Sequence, residues 1–95
     1  MQADIITKIR TSFVDPDEVM SLLEAMESRE GSPVSDRVYR SIVFLADGDT
    51  NKIRYYIKLY FEDYRDLLWY AEYEKDNPEV RKYDFNQPFT KLGLL

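Results

Sequence analysis

A succession of helix starts and stops constrains this chain more than any other feature. Asp15-Pro16-Asp17-Glu18 is the strongest start. Asp15 is placed to accept from the freed backbone amides as N-cap, Pro16 takes the first helical position where its missing N–H costs nothing, and Glu18 follows three residues after the cap. Val19, Leu22, Leu23 and Met26 then line one face, and Gly31 is a natural stop. Ser32-Pro33 repeats the start signal. In the segment after it, Val38, Ile42, Leu45 and Ala46 fall on one side, with Arg37, Arg40 and Ser41 largely on the other. Gly48 can end that helix in a left-handed conformation, and Asp49 or Thr50 can cap the next. Ahead of all these, Ile5, Ile6, Ile9 and Phe13 follow helical spacing behind a candidate Asp4 cap.

The stretch from Gly48 to Glu74 holds the single Trp and most of the Tyr, and reads as two consecutive amphipathic helices. Ile53, Tyr56, Ile57, Tyr60 and Phe61 form the inner face of the first. Asp63 caps the second, with Asp66 near its positive N-terminal end, and Tyr64, Leu67, Leu68 and Ala71 face inward. Asn77-Pro78 breaks the pattern. Residues 79–95 have weak periodicity and read as a docked, extended tail held by Tyr83, Phe85 and Phe89. One competing pattern exists: Ile53, Tyr55, Ile57, Leu59 and Phe61 also alternate, which would make 38–61 a hairpin in an α+β fold. Caps, stops and helical periods agree at every boundary, and that consistency favours helices. The expectation is an all-α single domain over 1–95, a compact bundle of four to five helices with an extended C-terminal arm.

Composition narrows the chemistry. The chain has 95 residues, a net charge of −5, and neither Cys nor His. It is therefore without disulfides, thiolate nucleophiles or the commonest general base and metal ligand. An acidic balance argues against nucleic acid, which needs clustered Lys and Arg. No apolar run approaches a membrane span and the first residues lack a secretory pattern, so the expected location is cytoplasmic, with no membrane partner.

Asp47-Gly48-Asp49-Thr50-Asn51 opens like a calcium loop, but Lys52 and Lys58 stand where such a loop needs Gly and a closing Glu. A helix stop followed by a cap explains these residues better, and neither a metal nor a cofactor is expected. Lys52, Arg54 and Lys58 form a small basic side that reads as ordinary surface charge. Phosphate loops, nucleophile elbows and dinucleotide fingerprints do not occur. The alternative function is a small-ligand-binding domain, or a catalytic one that works without His or Cys, with a pocket lined by Tyr and carboxylates in which Asp63 and Asp66 are the candidate ligand-binding residues.

The informative feature is an aromatic excess on the outer side of the helices. At about 100° per residue, Trp69 and Tyr73 fall opposite Leu67 and Ala71, Tyr55 and Leu59 fall away from Ile53 and Ile57, and Phe44 falls away from Ile42. Two explanations stay open: the tail covers these groups through Phe85, Phe89 and Leu92, or they form a surface for a protein partner or a second copy. The partner-binding candidates are Tyr55, Leu59, Trp69 and Tyr73, and the expected function is a non-enzymatic protein-interaction module, with a homodimer as one form of it.

The run RVYRSIVFLADGDTNKIRYYIKLYFEDYRDLLWYAEYE, from Arg37 to Glu74, resembles a group of short uncharacterised bacterial proteins. They share a helix, a Gly-Asp turn, a helix with a Tyr-Ile pair, and an acidic-aromatic-Arg-Asp start to an Ala-Glu-Tyr helix. The resemblance implies a cytoplasmic bacterial helical domain and supplies no activity. Arg65 and Asp66 match its Arg-Asp pair, which implies a structural role at the junction of the last two helices.

Overall fold

A computed structural model describes residues 1–95. Five helices follow in order: α1 (Ala3–Ser12), α2 (Pro16–Glu30), α3 (Asp36–Ala46), α4 (Thr50–Glu72) and α5 (Phe89–Leu92). The fold is all-α. The segments 38–46 and 50–61 are both helical and do not pair as a hairpin; the one β-type pairing is an isolated antiparallel bridge between Tyr73 and Arg81. The Cα radius of gyration is 12.5 Å, against about 12.4 Å expected for a compact domain of this length. No helix is long and apolar enough to cross a membrane.

The local signals act where the sequence places them, with two shifts. Asp15 accepts from the Glu18 amide at 3.1 Å, Pro16 is the first residue of α2, and Gly31 closes α2 at φ 77°. Asp49 caps α4 by accepting from the Asn51 amide at 2.9 Å. The cap of α3, however, is Ser35 and not Ser32: its hydroxyl lies 3.3 Å from the Val38 amide. Likewise Gln2 occupies the cap position of α1, and Asp4 sits inside the first turn with its carboxylate turned to other work. The α3–α4 turn needs two left-handed residues, Asp47 (φ 49°) and Gly48 (φ 83°). Asp tolerates that region better than most residues, and Gly48 is further required by the backbone of Ser12, whose carbonyl oxygen leaves no room for a Cβ.

α4 is two helices in one run. Asp63 leaves the helical region (φ −160°, ψ 96°), and its carboxylate accepts from the Arg65 amide at 3.0 Å, restarting the helix. The predicted junction is therefore real, and it redirects the second half of α4. One consequence departs from expectation: Tyr64, assigned to the inner face, is exposed.

α3 is the central element. It packs on α1 and α4, and the arm after α4 closes over it. Val38, Tyr39, Arg40, Ser41, Ile42, Val43 and Ala46 are all buried. A helix enclosed on several sides has no fully exposed face, which is why Arg40 and Ser41, placed by their spacing largely on the side away from Val38 and Ile42, also lie inside. Ser41 satisfies its hydroxyl by donating to the Arg37 carbonyl at 2.8 Å. The rest of the core is Ile5, Ile9 and Phe13 from α1 and its end, Val19, Leu23 and Met26 from α2, Val34 from the turn before α3, and Ile53, Leu67 and Ala71 from α4. Phe85 and Phe89 of the arm are fully buried in it. Burying each ring stabilises the fold by roughly 1.5–3 kcal/mol, so the arm is part of the core. It is also less extended than expected, because α5 forms a short turn of helix around Phe89.

Candidate functional site

Buried charge is the first place to look for chemistry, and here it serves to hold the fold together. Glu72, at the end of α4, is fully buried. Its carboxylate accepts from Arg37 Nε (3.1 Å) and Nη2 (2.5 Å), from Arg81 Nη2 (3.2 Å) and from the Phe85 amide (2.9 Å). Its carbonyl accepts from the Lys82 and Tyr83 amides. Burial alone would raise this carboxyl; the bonds from Arg37, the Phe85 amide and Arg81, with the Arg37 charge, outweigh it and hold the pKa below its ordinary value.

Asp4 behaves the same way. It accepts from Arg40 Nε and Nη2 and from the Phe89 amide, each at 3.0 Å. Burial raises its carboxyl, the Arg40 and Phe89 hydrogen bonds and the Arg40 charge lower it more, and the net shift is downward. Arg40 also donates to the Phe85 carbonyl and to Gln2. Tyr39 donates to Glu27 at 2.6 Å, and its own hydroxyl pKa is raised by burial first and then by that bond and charge. Every buried side-chain polar atom has a partner.

The aromatic excess behaves differently. Trp69 is 46% exposed, Tyr55 61% and Tyr70 57%. Trp69 and Tyr70 stack nearly parallel, with ring centroids 6.3 Å apart and planes 12° from parallel. Together with Tyr56, Tyr73, Leu45 and Pro78 they line a cleft of about 470 Å³ between the second half of α4, the end of α3 and the 74–78 turn. Tyr55 joins this wall from outside, its ring edge-on to Tyr56 at 5.0 Å. A second hollow of about 410 Å³ lies alongside, lined by Phe44, Ala71, Lys82 and Tyr83 and sharing Tyr70, Tyr73, Glu74 and Lys75 with the first. A depression of similar size at the end of α2, around Glu24, Glu27 and Gly31, has no hydrophobic wall.

The four partner-binding candidates thus separate. Trp69 and Tyr73 line the cleft, Tyr55 borders it, and Leu59 lies outside it, half-buried against the core. Asp63 is an exposed cap and Asp66 is half-buried; neither lines any of the three hollows. Tail coverage accounts for Phe44, whose ring meets Tyr83 and Phe85 at 5.2 Å each. It does not account for Trp69 or Tyr55. Sequence reasoning missed Tyr70 and placed Tyr56 in the core. The spacing of Tyr70 to Tyr73, one helical turn, and its place beside Trp69 were the available signal for Tyr70.

The small basic side is partly neutralised: Arg54 pairs with Glu18 of α2, and Lys58 lies 3.9 Å from Glu62. Compared with known proteins, the chain matches no family model, no curated protein and no solved structure.

Proposed function

We propose that this domain is a non-enzymatic protein-interaction module whose docking surface is the cleft of Tyr56, Trp69, Tyr70 and Tyr73. The observation that carries the reading is the exposed, stacked Trp69–Tyr70 pair at the mouth of a largely apolar cleft. Trp and Tyr are the side chains that most often dominate interface energetics, because they offer rigid area and a polar tip. A cleft of this volume lies in the range of binding pockets. Support also comes from the buried charges, all of which are engaged in tying elements together.

The test is selection of peptides from a random displayed library on the native domain, with Trp69→Ala as counter-target. Light-scattering mass over a dilution series, with Trp69 emission, is recorded alongside. Peptides that bind the native domain and not Trp69→Ala are the expected result. A dimer whose Trp69 emission shifts red on dissociation would make the partner a second copy. A monomer at all concentrations with no Trp69-dependent peptide would overturn the reading.

A further inference from the structure

We propose that this chain forms dimers by exchanging its arm: residues 81–94 of one copy seat in the groove of a second copy, and 74–80 act as the hinge. The inference stands apart from the docking reading, since it uses a different surface. The groove is the first argument, because its occupant is already in place. Phe85 and Phe89 fill it and are fully buried. Glu72 and Asp4 accept from the Phe85 and Phe89 amides at 2.9 and 3.0 Å. Arg40 donates to the Phe85 carbonyl at 3.0 Å, and Lys8 donates to the Leu94 carbonyl. The Glu72 carbonyl accepts from the Lys82 and Tyr83 amides. Every one of these contacts crosses from arm to body. The same arm arriving from a second copy remakes them all, which is the condition for a low-cost exchange.

The arm also keeps its own shape. The Asp84 carboxylate accepts from Arg81 Nη2 and from the Asn86 amide, each at 3.0 Å. Around Gly93, the Leu94 amide returns to the Phe89 carbonyl at 3.0 Å. These local bonds persist whichever body lies beneath the arm.

The hinge is the third argument. Residues 74–80 are all exposed. They are held folded by the Glu74 amide on the Val80 carbonyl and the Val80 amide on the Asn77 carbonyl, each at 3.0 Å, and by Trp69 Nε1 on the Pro78 carbonyl at 3.4 Å. All three bonds lie on exposed residues, where water replaces them at little cost. Asn77 precedes a proline, which keeps it out of the helical region, and the fixed φ of Pro78 suits an extended chain as well as a turn. Straightened, a hinge of this length spans about 23–25 Å. The shortest dimension of the domain is 22 Å, so the arm clears its own body and reaches a second. Glu74, Lys75 and Pro78 also line the cleft beside Trp69. Exchange removes that wall, and the closed cleft belongs to the monomer.

The test refolds the full chain from urea at micromolar and at millimolar concentration, the latter being the scale at which a second copy competes with a short tether. Chains labelled with ¹³C and unlabelled chains are mixed before refolding, and the products are separated by mass. The expected product at millimolar concentration is a dimer with NOEs from Phe44 of labelled copies to Tyr83 and Phe85 of unlabelled ones, rings whose centroids lie 5.2 Å from that of Phe44. Monomer alone at millimolar concentration, or a dimer whose Phe44 NOEs all stay within one chain, would overturn the exchange. Neither result touches the docking reading, which is decided by the Trp69→Ala counter-target. Deletion of 74–79 is the second check. It leaves Val80 alone between Tyr73 and Arg81, too short to reverse the chain, since the tightest common hairpins need two residues. Loss of the monomer at every concentration, with native helix content by circular dichroism, is expected. A native-like monomer from this deletion would overturn the exchange.

Discussion

Arg40 of α3 and Asp4 of α1 form a two-point ion pair in which the guanidinium is buried and the carboxylate largely shielded from water. Nε to Oδ2 and Nη2 to Oδ1 are each 3.0 Å, with the side chains 2% and 8% exposed. Two charges taken out of water are costly to separate once buried, since whichever remains has no solvent to replace its partner.

Arg40→Leu tests this directly. It leaves Asp4 buried without its guanidinium and the Phe85 carbonyl without a donor. The expected loss is about 3–5 kcal/mol of unfolding free energy in urea, a large part of the roughly 5–15 kcal/mol that a domain holds. Replacing Asp4 by Leu as well should recover part of the loss, but not all, because the Phe89 amide then lacks its acceptor.

Glu72→Gln should loosen the arm more than the helices. The amide keeps an acceptor oxygen but loses the charge that Arg37 and Arg81 face. A charge-assisted bond is worth about 1.5–3 kcal/mol, so exchange of the Phe85 amide should rise roughly tenfold to hundredfold. Hydrogen exchange read by mass spectrometry or NMR, comparing 81–89 with 38–46, measures the contrast. Equal acceleration in both segments would mean that the arm and core open as one unit.

Stability should depend on acid through Asp4 and Glu72. Both carboxyls are depressed in the fold relative to ordinary values of 3.8 and 4.5. A depressed acid contributes stability that is fully present above its unfolded value and is lost as pH falls through the lower folded value. Unfolding free energy should therefore be flat from neutral pH down toward those ordinary values and fall below them. Glu72→Gln should lower the plateau and flatten part of the acid limb. An unchanged acid limb in that variant would assign the pH dependence elsewhere.

Gly48 and Gly31 make a matched pair. Both have positive φ, but a Cβ on Gly48 would lie 2.8 Å from the Ser12 carbonyl oxygen, while one on Gly31 would meet nothing within 4 Å. Gly31→Ala should cost only the left-handed conformation, about 1–2 kcal/mol. Gly48→Ala should cost that and the displacement of the end of α1, and its melting temperature should fall further. Equal losses would show that α1 shifts freely away from the turn.

The parts of this fold that were legible in sequence are those decided within a turn or two of chain. Asp15-Pro16, Gly31, Asp49 and Asp63 set boundaries by local hydrogen bonds and backbone preference, and each acts where its chemistry predicts. Arg40 was not legible, because its burial depends on α1 and the arm arriving from the two ends of the chain. The cap of α3 was misplaced for a smaller reason: Ser32 and Ser35 both have the right side chain, and only Ser35 has its hydroxyl near the Val38 amide. Of the candidate site, Trp69 and Tyr73 were visible from helical phase. Tyr56 was not, since the bend at Asp63 decides which rings of the two halves of α4 meet.

The bond from the Phe89 amide to Asp4 joins residues 85 positions apart. During synthesis α1, α2 and α3 leave the ribosome well before the arm does. Until Phe85 and Phe89 emerge, Arg40 lacks one of its acceptors, Asp4 lacks one of its donors, and the core keeps an open side. The nascent domain therefore stays only partly assembled until residues 85–89 have emerged. A product cut short before residue 85 would expose the same apolar surface to quality control that the finished arm conceals.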